Sequence, residues 1–256
     1  MANVKKYLFE KLETKGALLA ALVDPLDHPS LEEGIKAAKQ AEEGGADYIL
    51  VGGSIGVGGE LLDQICKEIK SEISIPLVLF PGNISTISKF SDAIYFMSLL
   101  NSSNPYWITQ AQFLAIPLIE RFNLETISVG YIVVEPGGTV GWVGDVKLVP
   151  RSKPIIAAYL AKVSQYMGMD FALVDSGSNP AEGPLSAEFI KTIRSNCNIP
   201  LIVAGGIRTP AQAKDLVKAG ASILQLGTIL EKNKDVKRSI AAISKAIEEG
   251  VKQRNL

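Results

Sequence analysis

Eight short apolar runs recur along this chain, and each closes on glycine, proline or polar residues before a stretch with helical spacing. Continuous apolar runs of four to eight residues are typical of parallel strands that are covered on both faces. The alternation extends over 256 residues, a length that α/β barrels commonly reach as one domain. We therefore predict a single-domain (β/α)8 TIM barrel over residues 1–256. The eight runs lie in residues 17–25, 47–54, 75–83, 93–103, 126–138, 170–178, 199–206 and 222–228.

A doubly wound open sheet is the alternative arrangement of alternating strands and helices. Such a sheet normally carries a glycine-rich dinucleotide fingerprint directly after its first strand. Here the first strand is followed by Asp24 and Pro25, and the nearest glycine-rich match, residues 56–61, lacks the third glycine. The closed barrel is the better interpretation.

The bulk properties exclude several classes of partner. The net charge of −1, from 26 basic and 27 acidic residues, gives no electrostatic footprint for nucleic acid. Cys66 and Cys197 have no metal-ligand spacing, and the first residues contain no apolar signal sequence, so we expect a reduced, cytoplasmic protein. Residues 93–119 carry no charge, but a polar cluster at 101–105 divides them into strand, loop and helix rather than a transmembrane segment.

Glycines follow two neighbouring strands at the rim where barrel active sites are built. They are Gly205-Gly206 after the seventh strand and Gly227-Thr228 after the eighth. Glycine lets the backbone approach a ligand closely, and a following helix N-terminus offers free N–H groups to an anion. Together with the 176–178 segment (Ser-Gly-Ser) of strand six, the two pairs predict a phosphate-binding site. The alternative is that these glycines only serve tight turns.

Two carboxylates also end strands at this rim, Asp24 and Asp175. A carboxylate beside a phosphate site favours Mg²⁺, which usually binds through one or two carboxylates and substrate phosphates. Asp24, with Ser54 one strand away, is the candidate metal site, while Asp27 is expected to cap the turn. Asp175 is the candidate for binding a substrate hydroxyl and accepting its proton. His28, the only histidine, is expected to be a solvated loop residue.

Several longer motifs resemble the geranylgeranylglyceryl phosphate synthases and the bacterial heptaprenylglyceryl phosphate synthases. The likeness runs from about residue 17 to 230, and its most specific blocks are SLLNSSNPYWI and VEPGGTVGWVG. The resemblance implies a modified TIM barrel that uses Mg²⁺ to join sn-glycerol 1-phosphate to a prenyl diphosphate, here geranylgeranyl diphosphate. It further implies an ether product that resides in the membrane, and a homo-oligomeric enzyme of archaeal-type lipid biosynthesis.

Carried over by position, the resemblance assigns metal binding to Asp24 and Ser54, and catalysis to Asp24 and Asp175. The family usually has Tyr-Leu-Glu on strand six, where this chain has Leu-Val-Asp, so the acceptor geometry is expected to differ. The residues assigned to glycerol phosphate binding are Leu173, Val174, Asp175, Ser176, Gly177, Ser178, Asn179, Gly205, Gly206, Gly227 and Thr228.

Other functions stay open at this stage. A synthase for a longer prenyl chain is one, and a phosphate-binding barrel with changed or lost catalysis, suggested by the strand-six motif, is another. A sugar-phosphate isomerase or lyase would need a second acid or base, for which only Glu135 is available at the rim. The aromatic candidates for a prenyl groove are Tyr95, Phe96, Tyr106, Trp107 and Phe113.

Overall fold

The computed structural model describes residues 3–53, 56–233 and 235–254, and these residues contain eight strands. The strands are β1 (Leu18–Val23), β2 (Tyr48–Gly52), β3 (Leu77–Phe80), β4 (Ala93–Leu99), β5 (Glu125–Val133), β6 (Phe171–Asp175), β7 (Leu201–Ala204) and β8 (Ile223–Leu226). All of them are parallel and pair in chain order, and β1 also pairs with β8, which closes the cylinder. The predicted barrel is confirmed.

The helices of the described residues surround this barrel, with a π-helical segment at Tyr106–Gln110 before the fourth. They are α1 (Val4–Lys15), α2 (Leu31–Glu43), α3 (Gly59–Glu72), α4 (Ala111–Phe122), α5 (Gly138–Val143), α6 (Pro154–Tyr166), α7 (Ala187–Arg194), α8 (Pro210–Lys218), α9 (Thr228–Lys232) and α10 (Val236–Lys252). Side-chain caps start several of them: Ser30 accepts from Glu33 N, and Thr209 forms a capping box with Gln212.

The regular alternation of strand and helix fails at one place, between β3 and β4. Residues 81–92, all of which are described, contain no helix. Side-chain oxygens there bond to nearby backbone groups instead: Asn83 Oδ1 accepts from Ser85 N, and Ser88 Oγ accepts from Phe90 N. Such local bonds compete with helix formation. The barrel is therefore a modified one, in which no helix connects β3 to β4.

The interior of the barrel is filled by inward-facing side chains, and α1 covers its N-terminal end. Val4 and Leu8 of α1 pack into the same buried cluster as Ile127 and Phe171. Buried Asp47 holds α1 in place through two ion pairs, with its Oδ1 3.0 Å from Lys11 Nζ and 2.6 Å from Lys15 Nζ. Access to the interior is therefore from the opposite rim, where the strands end.

In the part of the chain that the structure describes, no helix has the length and apolarity needed to cross a bilayer. The uncharged segment 93–119 folds into β4, the π-helical segment and most of α4, as the polar interruption predicted.

Candidate active site

One cavity opens at the C-terminal rim of the barrel and joins a polar end to an apolar end. Asp24, Asp175 and Gln225 line it near the barrel axis, and none of its described lining residues is a lysine or an arginine. Its other end runs outward beneath α4, beside the segment that lacks a helix. The apolar residues lining that end include Ile84, Ile87, Ile94, Phe96, Ala115 and Ile119.

The loops after β6 and β7 require glycine because two backbones meet there. Gly177, Gly205 and Gly206 have φ values of 86°, 92° and 73°, in the left-handed region that glycine tolerates best. A Cβ on Gly177 would lie 2.6 Å from the carbonyl carbon of Gly137, and one on Gly205 would lie 2.5 Å from Ser176 Oγ. The glycines therefore serve both the turns and the close approach of neighbouring loops.

Free backbone donors remain at this rim. The N–H groups of Ser178, Gly206 and Thr228, all of which line the cavity, donate to no backbone or side-chain acceptor in the described part of the chain. The expected donors at the start of α8 are different: Arg208 N and Thr209 N both donate to Gln212 Oε1. The capping box therefore occupies the donors at the start of α8, and the free donors lie in the loops after β6 and β7 and at Thr228, the first residue of α9.

Asp175 is buried at the end of β6 with both carboxylate oxygens bonded. The Tyr131 hydroxyl donates to Oδ2 at 2.7 Å, and the Gly177 N–H donates to Oδ1 at 2.7 Å. Burial raises the pKa of Asp175 above its ordinary value, and these two hydrogen bonds offset only part of that effect. The result is a fixed carboxylate with more affinity for a proton than an exposed aspartate has.

The other residues assigned to glycerol phosphate fall into two groups. Asp175, Gly177, Ser178, Asn179, Gly205, Gly206, Gly227 and Thr228 line the cavity. Leu173 packs inside the barrel and Val174 packs in the outer cluster against the helices, both fully buried. Neither of them lines the cavity, nor does Ser176, whose Oγ lies against Gly205. The side chains of these three residues do not reach the site, because strand alternation turns Val174 and Ser176 outward and Leu173 lies deeper than Asp175.

Asp24 forms the acidic side of the cavity with Asp27 and Glu231. Burial and the neighbouring Asp27 carboxylate raise the pKa of Asp24 from 3.8 to about 6. Burial, together with Asp27 and Asp24, raises the pKa of Glu231 from 4.5 to about 7. Asp27, which was expected to cap the turn, thus faces the same space. The negative charge of Asp27 thus disfavours the ionised forms of both Asp24 and Glu231.

Two residues, Asp24 and Ser54, were assigned to the metal. Ser54 lies outside the described residues, and the described residues contain no cluster of three His, Cys, Asp or Glu side chains arranged to hold a metal. Mg²⁺ usually keeps several waters and needs only one or two carboxylates besides substrate phosphates. Asp24 is half-buried and forms no ion pair with a described residue, which is compatible with that mode of binding.

Among the cavity residues that the sequence did not predict are Tyr131, Gln225 and Glu231. Tyr131 and Gln225 lie inside apolar strands, where only the alternation relative to Asp175 and the rim could have shown that they face inward. Glu231 lies four residues after Gly227, so helical spacing places it over the same rim. Glu135, the other rim carboxylate, is exposed and accepts from Arg151 N.

The polar loop around residue 101 has a structural role. Asn101 Nδ2 donates to the carbonyls of Val133 and Lys147, and Ser102 Oγ donates to Gly144 O. These bonds fix the long loop after β5 against the end of β4. Asn101 therefore holds the rim together and does not line the cavity.

Fold and site together define a (β/α)8 barrel with carboxylates and glycine-rich loops gathered at its C-terminal rim. Residues 13–247 match the PcrB family, and the chain belongs to that family. A geranylgeranylglyceryl phosphate synthase from Pyrococcus horikoshii is 46% identical over 251 residues, which cover 98% of this chain and 97% of the relative. The synthase of the same name from Methanosphaera stadtmanae is 43% identical and covers 96% of this chain and 99% of the relative. The resemblance seen in the sequence is confirmed, and these relatives are prenyltransferases.

A solved structure supports the same placement. The (S)-3-O-geranylgeranylglyceryl phosphate synthase of Thermoplasma acidophilum, in complex with its substrate sn-glycerol-1-phosphate, aligns with a TM-score of 0.91 at 33% identity. The alignment covers 97% of this chain and all of that one. A thiamine phosphate pyrophosphorylase from Pyrococcus furiosus, at 16% identity and a TM-score of 0.62, shares the barrel fold alone.

Proposed function

We propose that this protein joins sn-glycerol 1-phosphate to geranylgeranyl diphosphate, forming the ether geranylgeranylglyceryl phosphate of archaeal-type membrane lipids. The observation that carries the proposal is the cavity itself, which connects a polar end with Asp24, Asp175 and free backbone donors to a long apolar end. A small phosphorylated alcohol suits the first end and a hydrocarbon chain suits the second. The Pyrococcus and Thermoplasma relatives named above support this pairing.

The phosphate of glycerol phosphate is proposed to lie against the loops after β6, β7 and β8. Ser178, Gly206 and Thr228 offer N–H groups there that no described acceptor uses. Two arginines stabilise the loop after β6 by hydrogen bonds. Arg151 donates to the carbonyls of Gly183 and Pro184, and Arg208 donates to Asn179 Oδ1. The binding is thus proposed to depend on backbone dipoles held in place by these contacts, not on a cationic side chain.

Asp24 is proposed to hold Mg²⁺ together with the prenyl diphosphate, and Ser54 is its expected partner. When bound there, the ion supplies positive charge that stabilises the diphosphate as it leaves. The half-buried carboxylate suits this task because burial and Asp27 raise its pKa to about 6 when no cation is present. A cation at this place would relieve that penalty.

Asp175 is proposed to orient the C3 hydroxyl of glycerol phosphate and to accept its proton. The C3 oxygen forms the new bond to C1 of the prenyl chain, the bond between C1 and the diphosphate oxygen breaks, and its electron pair leaves with diphosphate. Burial raises the pKa of Asp175, which improves it as a proton acceptor, and Tyr131 and Gly177 fix its orientation. Holding both reactants in one cavity contributes further to the rate.

The prenyl chain is proposed to follow the apolar end of the cavity, past Phe96 and Trp107 towards Ile119. Tyr95 also lines the cavity, whereas Phe113 is 75% exposed on the outer side of α4 and is not part of it. The opening beside residues 81–92 lets the chain leave the barrel between β3 and α4. A longer chain than geranylgeranyl is the alternative, and the choice is made by the depth of this groove.

A homo-oligomer is also proposed. Large apolar side chains are exposed on three helices, with Phe113 of α4 75% exposed, Trp142 of α5 88% exposed and Tyr166 of α6 78% exposed. Exposed apolar groups of this size usually mark an interface when they are contiguous. Light scattering after size exclusion is expected to give a multiple of the 27.4 kDa chain mass, and a monomer would contradict the proposal.

The test of the proposed reaction is a product assay. The purified protein is mixed with sn-glycerol 1-phosphate, Mg²⁺ and prenyl diphosphates of several lengths, and the ether is identified by mass spectrometry. Asp24→Asn is run beside the wild type, and Asp215→Asn, an exposed aspartate on α8, is the matched control. We expect product from the wild type and the control only. Binding of glycerol phosphate without product for any chain length would favour the alternative in which the Leu-Val-Asp motif accompanies lost catalysis.

A further inference from the structure

Gln225 is a buried amide in the wall of the cavity, and no described residue forms a hydrogen bond with it. It lies on the inner face of β8, is 4% exposed and lines the cavity. Its Oε1 is buried and unpartnered, and its side chain makes no hydrogen bond within the described residues. Buried polar groups are nearly always hydrogen-bonded, so an amide left without a partner calls for a ligand that completes it.

The strand register places this amide beside the glycerol site. Asp175, Ala204 and Gln225 are paired in register across β6, β7 and β8, and Ala20 of β1 is paired with Gln225 on its other side. Two strand spacings separate the Cα atoms of Asp175 and Gln225 by about 10 Å. Between them the wall carries only the methyl group of Ala204. The two polar side chains thus flank a space with an alanine floor, which is of the size of a three-carbon polyol.

We propose that Gln225 hydrogen-bonds the C2 hydroxyl of glycerol phosphate and so helps to select the sn-1 enantiomer. This inference rests on the proposed function and deepens it. The loop N–H groups hold the phosphate, Asp175 holds the C3 hydroxyl, and Gln225 holds the C2 hydroxyl. An amide suits a hydroxyl because it offers both a donor and an acceptor. C2 is the stereocentre of the substrate, so a third contact at its hydroxyl distinguishes the two enantiomers, which two contacts cannot do.

The experiment compares two ligands and two proteins by calorimetry. The ligands are sn-glycerol 1-phosphate and 3-hydroxypropyl phosphate, which lacks the C2 hydroxyl, and the variant is Gln225→Met, a side chain of similar length without the amide. Losing one hydrogen bond of this kind costs about tenfold in affinity. We expect the wild type to prefer sn-glycerol 1-phosphate by about tenfold and the variant to bind both ligands equally, at the weaker level. Gln64→Met on exposed α3, where Gln64 bonds only Glu68, is expected to match the wild type.

Turnover adds a second readout. In Gln225→Met the KM for sn-glycerol 1-phosphate is expected to rise about tenfold, with the KM for the prenyl diphosphate unchanged, and the preference over sn-glycerol 3-phosphate is expected to fall. The wild-type comparison of the two ligands needs no variant, so equal affinity would still overturn the inference if Gln225→Met did not fold. Equal affinity of the wild type for both ligands, or unchanged discrimination in a folded variant, would overturn the inference. Failure of the wild type to bind sn-glycerol 1-phosphate at all would instead refute the proposed function.

Discussion

Replacing Asp24 by asparagine is expected to stabilise the metal-free protein while abolishing its activity. Burial and Asp27 raise the pKa of Asp24 from 3.8 to about 6, so the folded state holds the Asp24 proton more tightly than the unfolded state does. For a carboxyl with a raised pKa, ionisation opposes folding: the penalty is absent below the unfolded pKa, grows as the pH rises from about 4 to 6, and is complete above 6. Asparagine does not ionise, so the variant does not lose this folding free energy as the pH rises.

The magnitude follows from the two pKa values. A rise from 3.8 to about 6 is about two pKa units, and each unit corresponds to about 1.4 kcal/mol, which gives about 3 kcal/mol. Asp24 is only half-buried, so solvent screening reduces this to about 1–2 kcal/mol. The variant is therefore expected to exceed the wild type in free energy of unfolding by that amount at pH 8, and by much less at pH 4.

The assay is urea unfolding of the wild type and Asp24→Asn with a chelator present, at pH 4, 6 and 8. Asp215→Asn is the control, since this exposed aspartate of α8 has no such environment, and we expect it to track the wild type at every pH. Mg²⁺ and a diphosphate are expected to reverse the order by stabilising the wild type alone. A variant that is less stable than the wild type at pH 8 without metal would refute the reasoning.

Three further substitutions address separate parts of the site. Gly177→Ala is expected to lower the free energy of unfolding by about 2 kcal/mol or more, because the new Cβ would lie 2.6 Å from a neighbouring backbone carbon. The control Gly168→Ala, also at positive φ but with open space around it, should lower it by about 1 kcal/mol. Equal losses in urea unfolding would contradict the close approach. Tyr131→Phe is expected to lower kcat about tenfold and to move the acid limb of the pH–rate profile to higher pH. The hydrogen bond from Tyr131 lowers the pKa of Asp175, so its loss raises that pKa. An unmoved limb in steady-state kinetics would exclude this positioning role. Ala115→Phe, which fills the apolar end of the cavity, is expected to shift the preferred prenyl diphosphate to a shorter chain, and unchanged product lengths by mass spectrometry would show that the chain lies elsewhere.

Strand ends were the most predictable part of this molecule. Asp24, Asp175 and the Gly205-Gly206 pair are visible in the sequence because each follows an uninterrupted apolar run, and parallel strands deliver their C-terminal ends to one rim. The alternation of these apolar runs with helical segments also predicted the closed barrel. The exception between β3 and β4 was not visible in detail, because serine hydroxyls that bond the local backbone can leave an ordinary-looking linker without its helix.

Side-chain direction was the harder part. Val174 was assigned to the substrate because of its neighbours in the chain, yet strand alternation turns it into the outer core. Tyr131 and Gln225 lie within apolar strands, and only the register between neighbouring strands shows that they face the cavity beside Asp175. Glu231 reaches the rim because it lies one helical turn after Gly227, but α9 is too short to show a sustained helical pattern in the sequence. The contacts that tune Asp175 are thus long-range, as its bond to Tyr131 spans 44 positions.

The central claim, that a glycerol phosphate hydroxyl displaces diphosphate from a prenyl chain, is tested most directly by an isotope label. sn-Glycerol 1-phosphate carrying ¹⁸O in its C3 hydroxyl is incubated with the protein, Mg²⁺ and geranylgeranyl diphosphate, and both products are analysed by mass spectrometry. The account predicts that all of the label appears in the ether and none in diphosphate. Label in diphosphate, or release of geranylgeraniol without an ether, would contradict it.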